Sequence, residues 1–185
     1  MKHIVLISGF TEDRHAMTGT RKIYRELVDE YGNNVTLCEW NDDFEQLADT
    51  LMMQGVTELL VAAYSWGCGN GLKELSKHFV GPIKAILCDP VYRSKYPWMR
   101  WRALTNKFFE PTIKYPENVT VVRWFNQTVN KPSGHAVKAG ELIATQPTTL
   151  YVKHSEIDDS EEYRQSVFIA AKIFLLPQGA KNASL

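Results

Sequence analysis

The chain of 185 residues carries 21 lysines and arginines and 21 aspartates and glutamates, so its formal net charge at neutral pH is zero. This balance argues against a general nucleic-acid-binding protein, which is usually basic. The three cysteines form no C-x-x-C pair, so we expect neither a disulfide framework nor a metal site, and we expect no cofactor.

The N-terminal residues and the longest apolar runs bear on the location of the protein. The opening residues, MKHIVLISGF, lack the length and the small-residue cleavage site of a signal peptide. No run approaches the roughly 18 apolar residues of a membrane span. We therefore expect a cytoplasmic protein without a membrane span, while the sequence leaves the oligomeric state open.

Apolar and amphipathic runs alternate through the first half of the chain. Residues 3–8 are typical of a buried strand, and residues 21–31 have helical spacing, with Thr18 or Thr20 as the N-cap. The next predicted elements are a strand at 34–40, a helix at 44–54 capped by Asn41 or Asp42, a strand at 57–64, a helix at 70–79 and a strand at 83–88.

Two long irregular segments, 90–117 and 126–147, interrupt the second half of the chain. Loops of this length are often lids or binding loops. The remaining predicted elements are strands at 118–125 and 148–154 and a helix at 160–176.

Strands that are apolar on both faces and alternate with helices predict an α/β fold. We expect a three-layer sandwich, in which a mainly parallel sheet of about six strands has helices on both faces. Residues 1–177 are predicted to form a single domain, with 90–117 inserted as a lid or cap and 178–185 as a flexible tail.

Three chemically capable side chains stand at the ends of predicted strands. Ser65 follows the third strand, Asp89 follows the fourth, and His154 ends the sixth. Ligands of parallel α/β sheets bind outside the carboxyl ends of the strands, so these residues should share one edge. A serine, an acid and a histidine are the side chains of an acyl-transfer triad.

The residues around the serine fit a nucleophile elbow, a sharp turn from strand to helix that exposes the serine Oγ. Such a turn crowds the positions two before and two after the serine, and these are Ala63 and Gly67. Gly69 and Gly71 fall inside the predicted helix that follows, where we expect them to permit close packing against the sheet.

The segments YSWGCGNG, LCDPV and KHSEID, in this order, resemble the α/β-hydrolase superfamily, and in particular its compact serine lipases and esterases. The resemblance implies that Ser65 is a nucleophile, that His154 is its base and that Asp89 orients the histidine. It also implies an oxyanion hole formed by the backbone N–H groups of Phe10 and Trp66.

The position of the acid departs from the commoner pattern of that family. There the acid follows the strand after next from the serine, and here that strand ends in Asn126 and Gln127, without a carboxylate. Asp89 resembles the alternative placement seen in some lipases, where Asp-Pro also occurs.

Structural roles for the same residues remain open. Ser65 could be a turn serine that caps the next helix, Asp89 could be a turn aspartate before Pro90, and His154 could be an exposed histidine. We interpret Asp158 and Asp159 as N-cap residues of the last helix, although Asp158 could instead orient His154.

The other histidines and one cysteine have simpler interpretations. His135 is a rival base in a loop, and we interpret Cys68 as a packing residue. The remaining histidines are interpreted as surface residues: His3, His15 and His78.

Residues 92–116 form a basic and aromatic cluster near the predicted site. They could form a lid whose Trp98 and Trp101 face an acyl group, a basic rim in which Arg93 meets an acidic substrate, or a cap with a solvated charged face. Aromatic and arginine residues also suit single-stranded nucleic acid, but the rest of the chain supplies no matching groove. We expect no nucleic-acid partner.

The sequence predicts a serine hydrolase that cleaves a small-molecule carboxylic ester or thioester through an acyl-enzyme intermediate. The alternative is a degenerate, non-catalytic member of the same superfamily that binds a ligand or a protein partner. A third possibility is an interaction protein that uses residues 92–116 as its interface.

Overall fold

The structure, a computed structural model, describes residues 1–10, 18–94 and 111–176. Its strands are β1 (Lys2–Ile7), β2 (Val35–Cys38), β3 (Glu58–Tyr64), β4 (Ile83–Cys88), β5 (Ile113–Lys114), β6 (Val119–Gln127), β7 (Val137–Lys138), β8 (Glu141–Leu142) and β9 (Thr148–Leu150). Seven of these strands form one sheet in the order β2-β1-β3-β4-β6, with β8 and β9 both paired to β6. β5 and β7 form a separate two-stranded pair.

Every pairing in the large sheet is parallel, so the carboxyl ends of its strands lie along one edge. The central strands β1, β3 and β4 are buried along almost their whole length. This agrees with their nearly continuous apolar sequences, because parallel strands covered on both faces have no solvent side.

The helices are α1 (Gly19–Tyr31), α2 (Phe44–Met53), α3 (Lys73–His78) and α4 (Glu161–Leu175). Successive residues of β1 face opposite layers: Ile4 and Leu6 pack with α1 and α4, whereas Val5 and Ile7 pack with α2 and α3. The predicted α/β fold, a mainly parallel sheet between two helical layers, is therefore confirmed. No helix within the described parts of the chain is long and apolar enough to cross a membrane.

The predicted helix caps were partly wrong. Asp43, rather than Asn41 or Asp42, caps α2 by accepting a hydrogen bond from the backbone N of Gln46 at 3.0 Å. Ser160 occupies the N-cap position of α4, in place of Asp158 or Asp159.

Asp158 instead bonds to the start of α1, the other helix in the same layer. Its carboxylate is buried and accepts from the backbone N of Thr20 at 3.1 Å, at the start of α1. Thr18 stands at the N-cap position of α1, and among the described residues its side chain makes no capping hydrogen bond. An acid distant in sequence thus satisfies an N–H group of the first turn, where negative charge is favoured by the helix dipole.

Several predicted boundaries also differ from the structure, two of them next to the strand-end residues. The strand predicted over 148–154 ends at Leu150, and His154 begins a 3₁₀-helix, His154–Asp159. The helix predicted from residue 70 begins earlier as a π-helix, Gly67–Leu72, which continues into α3. Residues 126–147 contain the short strands β7 and β8 in addition to turns.

Candidate active site

Ser65 stands at the break between β3 and the π-helix, with a left-handed φ of 52°. Its backbone N donates to Cys88 O at 2.9 Å, and its carbonyl accepts from the backbone N of Cys68 and of Val91, both at 3.1 Å. A non-glycine residue in this conformation costs about 1–3 kcal/mol, so the surrounding structure must impose it. These bonds to β4, the π-helix and the segment after β4 are what hold the turn.

Two glycines allow the turn to close. A Cβ atom at Gly67 would lie 2.5 Å from the carbonyl oxygen of Ile7, and one at Gly69 would lie 2.1 Å from the carbonyl oxygen of Val91. Both distances are far below van der Waals contact, and the obstructing atoms are backbone atoms that cannot move aside. The small residue expected two positions after Ser65 has this physical cause. Gly69 packs against the segment after β4 rather than against the sheet as expected, whereas a Cβ atom at Gly71 would lie 2.7 Å from Ile7 Cγ2 on β1.

The side chains of Ser65, His154 and Asp89 form one hydrogen-bonded line. Ser65 Oγ lies 2.8 Å from His154 Nε2, and His154 Nδ1 lies 2.5 Å from Asp89 Oδ2. The three residues are distant in sequence, and the parallel sheet brings Ser65 and Asp89 together because β3 and β4 are neighbours. This order of contacts is the one a serine nucleophile, its base and an orienting acid require.

The line is shielded from solvent. Ser65 is 4% exposed, and the side chains of His154 and Asp89 are 14% and 0% exposed. Electrostatic interactions, including hydrogen bonds, are stronger in such an environment than in water. An unpartnered carboxylate would be costly at the Asp89 position, so its bonding determines whether the arrangement is stable.

Asp89 is bonded at both carboxylate oxygens. Its Oδ1 accepts from the backbone N of Gly134 at 2.7 Å and of Gln127 at 3.2 Å, and its Oδ2 accepts from Gln127 Nε2 at 3.0 Å. Together with His154, four N–H contacts surround the carboxylate. Asp89 also has a left-handed φ of 43°, as Ser65 does.

His154 reaches the site from the 3₁₀-helix and is held through its own backbone. Its N donates to Asn130 Oδ1 at 2.8 Å, and its carbonyl accepts from Tyr64 Oη at 2.6 Å. These contacts fix the start of the 3₁₀-helix beside the end of β3. Neither Tyr64 nor Asn130 was predicted from the sequence to lie at the site.

Gln127 is a further residue of the site that sequence reasoning missed, because it ends a strand without supplying a carboxylate. Its place at the carboxyl edge of the sheet was the available signal, since every residue in that position is a candidate to face the site.

The segment after β1 passes directly beside Ser65. A Cβ atom at Gly9 would lie 3.1 Å from Ser65 Cβ and 2.8 Å from the ring of Tyr64. Phe10 follows Gly9, and its ring packs against that of Trp66 with 4.2 Å between centroids. The two residues expected to form an oxyanion hole are therefore neighbours, next to the serine.

Trp40, in the segment between β2 and α2, completes an aromatic cluster that was not predicted from the sequence. Its ring lies 4.9 Å from Trp66 and 6.0 Å from Phe10, measured between centroids. The guanidinium carbon of Arg93 lies 5.0 Å from the Trp66 ring centroid and 5.1 Å from that of Trp40. Asn70 holds the Arg93 backbone, donating to its carbonyl at 3.1 Å and accepting from its N at 2.9 Å.

Arg93 was predicted to contact substrate, and it lies beside the residue that follows the serine. Trp98 and Trp101, predicted with it, lie outside the described residues. A cavity of about 400 Å³ adjoins the aromatic cluster, and Trp40, Asn70, Lys73 and Tyr92 are among its lining residues.

The rival candidates make other contacts. His135 is buried, and its Nδ1 accepts from the backbone N of Tyr92 at 3.2 Å. Cys68 donates from Sγ to the carbonyl of Ala63 at 2.9 Å, and burial raises the pKa of its thiol. A buried thiol with a raised pKa stays protonated and is a poor nucleophile, which favours a packing role for Cys68.

One histidine interpreted as a surface residue is buried. His3 is 3% exposed, its Nε2 lies 2.8 Å from Thr36 Oγ1, and burial lowers the pKa of its imidazole. It lies on β1, near the opposite end of the strand from Ser8 and Gly9, and so outside the site.

Among residues 1–10, 18–94 and 111–176, no three His, Cys, Asp or Glu side chains are grouped in a way that could hold a metal ion. Comparisons of the chain with protein-family models, with curated proteins and with solved structures found no match.

Proposed function

We propose that the protein is a serine hydrolase of the α/β-hydrolase kind, which cleaves a small-molecule carboxylic ester or thioester. The observation that carries the proposal is the hydrogen-bonded line from Ser65 through His154 to Asp89. Its position at the carboxyl edge of a parallel sheet, with Ser65 on a sharp strand-to-helix turn, supports the same assignment.

In the proposed reaction His154 Nε2 accepts the Ser65 proton while Ser65 Oγ attacks the substrate carbonyl. The tetrahedral intermediate collapses when His154 returns that proton to the departing alcohol or thiol, which leaves an acyl group on Ser65. Water then attacks the acyl-enzyme with His154 again as base, and His154 passes that proton to Ser65 Oγ as the acid product leaves. A serine hydroxyl is a weak nucleophile unless such a base is within hydrogen-bond reach.

Asp89 orients the imidazole in this scheme and stabilises it when it is protonated. Its contact with His154 Nδ1 places the proton of the neutral ring on Nδ1, so that Nε2 is free to accept from serine. Asp89 itself keeps its charge throughout the cycle.

The negative oxygen of the tetrahedral intermediate is assigned to the backbone N–H groups of Phe10 and Trp66. The close approach of Gly9 to Ser65 and the ring contact between Phe10 and Trp66 support this assignment. One such donor is worth roughly 3–4 kcal/mol of transition-state stabilisation.

The aromatic cluster of Phe10, Trp40 and Trp66 supports an apolar acyl or leaving group of small or medium size. Aromatic side chains supply large apolar contact areas with few rotatable bonds. Arg93, which stacks on both indoles, is assigned to the same substrate-facing wall.

The test is hydrolysis of p-nitrophenyl acetate and butyrate, and of a short acyl thioester, by the wild type and by Ser65→Ala. We expect turnover by the wild type and loss of turnover in Ser65→Ala. Ser76→Ala is the matched control, because Ser76 is also buried but lies on α3 and donates to the carbonyl of Lys73.

Folded wild-type protein that turns over none of these esters would favour the alternative, a non-catalytic protein that uses the same edge of the sheet to bind a ligand or partner. Turnover that survives in Ser65→Ala would instead place the chemistry elsewhere.

A further inference from the structure

Gln127, the last residue of β6, is buried and uses its whole side-chain amide. Its Nε2 faces three acceptors: Asp89 Oδ2 at 3.0 Å, Asn130 O at 3.0 Å and Pro132 O at 2.8 Å. Its Oε1 accepts from the backbone N of Val129 at 2.8 Å and of Asn130 at 3.0 Å. One side chain therefore joins the buried carboxylate to the loop that follows β6.

That loop, residues 128–134, returns to both members of the acid–base pair. Its Gly134 N donates to Asp89 Oδ1 at 2.7 Å, and its Asn130 Oδ1 accepts from the backbone N of His154 at 2.8 Å. A change in the bonds between Gln127 and this loop would therefore move the groups that contact Asp89, and through Asn130 it would also move His154.

We propose that Gln127 is a positioning residue for the acid–base pair, acting on Asp89 by direct bonds and on His154 through the 128–134 loop. The inference rests on the proposed hydrolase function and assigns to this residue a role in it.

The geometry explains why a positioning residue is needed. A carboxylate can rotate about its Cβ–Cγ bond, and Asp89 bonds well to His154 Nδ1 only when its plane is turned so that one oxygen points at that nitrogen. The bonds from the backbone N of Gln127 to Oδ1 and from its Nε2 to Oδ2 hold that orientation. Misplacement of a catalytic group by about 1 Å can cost on the order of 100-fold in rate.

A carboxylate introduced at position 127 would meet several ionisable groups. Asp89 bonds to this position from the end of β4, and His154 contacts the same Asp89 oxygen from the 3₁₀-helix. Cys68, on the π-helix, interacts electrostatically with Asp89. Tyr64, on β3, donates from Oη to the His154 carbonyl. His135 comes directly after the 128–134 loop, and its backbone N donates to the carbonyl of Pro90.

The test compares pH profiles of kcat/KM for p-nitrophenyl butyrate in the wild type and in Gln127→Glu. At low pH the new carboxyl is protonated and can donate its hydrogen to Asp89 Oδ2, as the amide does. At higher pH it ionises, the donor is lost and the two carboxylates repel. We expect kcat/KM of Gln127→Glu to be about 10- to 100-fold below that of the wild type at pH 8. As the pH is lowered, the variant should approach the wild type measured at the same pH.

A second variant keeps the inference testable if Gln127→Glu does not fold. Asn130→Ala, at an exposed position, removes the acceptor for His154 N, and we expect a loss of about tenfold in kcat with KM little changed. Lys131→Ala is the matched control, because Lys131 is exposed in the same loop and donates to Ser133 Oγ.

The outcomes separate this inference from the proposed function. A pH-dependent loss in Gln127→Glu, or a loss in Asn130→Ala that Lys131→Ala does not share, supports the positioning role. If the wild type turns over the ester, an unaltered pH profile in Gln127→Glu overturns this inference alone. If Gln127→Glu does not fold, an unaltered kcat in Asn130→Ala has the same consequence. A wild type without esterase activity overturns both.

Discussion

The two sides of Ser65 are built from different interactions. On the acid–base side, Asp89 and His154 are held by directional hydrogen bonds in a shielded environment. On the aromatic side, Phe10, Trp40 and Trp66 meet through ring contacts, and Phe10 is 58% exposed. Directional bonds fix atoms to within the tolerance that proton transfer needs, whereas ring packing tolerates small shifts. Under the proposed function, the first side carries out the reaction and the second side sets substrate preference.

The largest expected effect comes from breaking the acid–base side at Asp89. Asp89→Asn keeps the size of the side chain but changes the proton arrangement at His154, so we expect kcat to fall by about 10⁴-fold. The measurement is kcat with p-nitrophenyl butyrate, alongside a thermal melt that reports the folded fraction.

Asp158→Asn is the matched control, because Asp158 is also a buried acid but bonds to Thr20 at the start of α1. It should leave kcat within a few-fold of the wild type and lower the free energy of unfolding by about 1–2 kcal/mol. If Asp158→Asn abolishes turnover and Asp89→Asn does not, the acid has been wrongly assigned.

A smaller and different effect is expected on the aromatic side. Trp40→Ala removes one wall of the cluster, so the ratio of kcat/KM between butyrate and acetate esters should change by about tenfold or more, mainly through KM. Phe168→Ala, which shortens a partly buried aromatic side chain on α4, is the control. An unchanged ratio in Trp40→Ala would show that the cluster does not contact the acyl group.

The burial of Cys68, on the π-helix that follows Ser65, can be measured by the reactivity of its thiol. All three thiols are buried, and the raised pKa of Cys68 keeps it protonated well above neutral pH. We expect native protein to react negligibly with a disulfide reagent at pH 8, and denatured protein to show three reactive thiols. Rapid reaction of a native thiol, mapped to Cys68, would contradict the enclosed structure behind Ser65.

The smallest expected effect is a change in the pH dependence of stability that leaves the pH dependence of activity unaltered. Burial lowers the pKa of His3, so below about pH 6.5 the unfolded chain takes up a proton that the folded protein does not. The free energy of unfolding should therefore fall as the pH drops, by at most about 1.4 kcal/mol per pH unit from this group.

His3→Gln should flatten that slope in urea unfolding at pH 5 to 7 and leave the pH profile of kcat/KM unaltered. A slope that stays the same in His3→Gln would show that other groups govern acid stability.

Much of the sheet could be predicted from the sequence, because its central strands are continuous apolar runs and each is followed at once by a turn. Ser65 and Asp89 could be placed for the same reason: each directly follows a buried strand, and parallel neighbours end at one edge. Short-range patterns contain this information, since a strand and the residue after it are adjacent in the chain.

The parts that could not be predicted depend on contacts between distant segments. Asp158 satisfies the start of α1 across 138 residues, and no local pattern marks that pairing. Gln127 looks like any strand-terminal residue until the loop after β6 folds over Asp89. Trp40 joins the aromatic cluster only because β2 and β3 both flank β1.

Covalent labelling with a fluorophosphonate is the sharpest test of whether His154 and Asp89 activate Ser65. We expect one adduct on the folded protein, mapped by mass spectrometry to Ser65, absent in Ser65→Ala and formed far more slowly in Asp89→Asn than in the wild type. Folded wild-type protein that remains unlabelled, or an adduct on another residue that persists in Ser65→Ala, would contradict it.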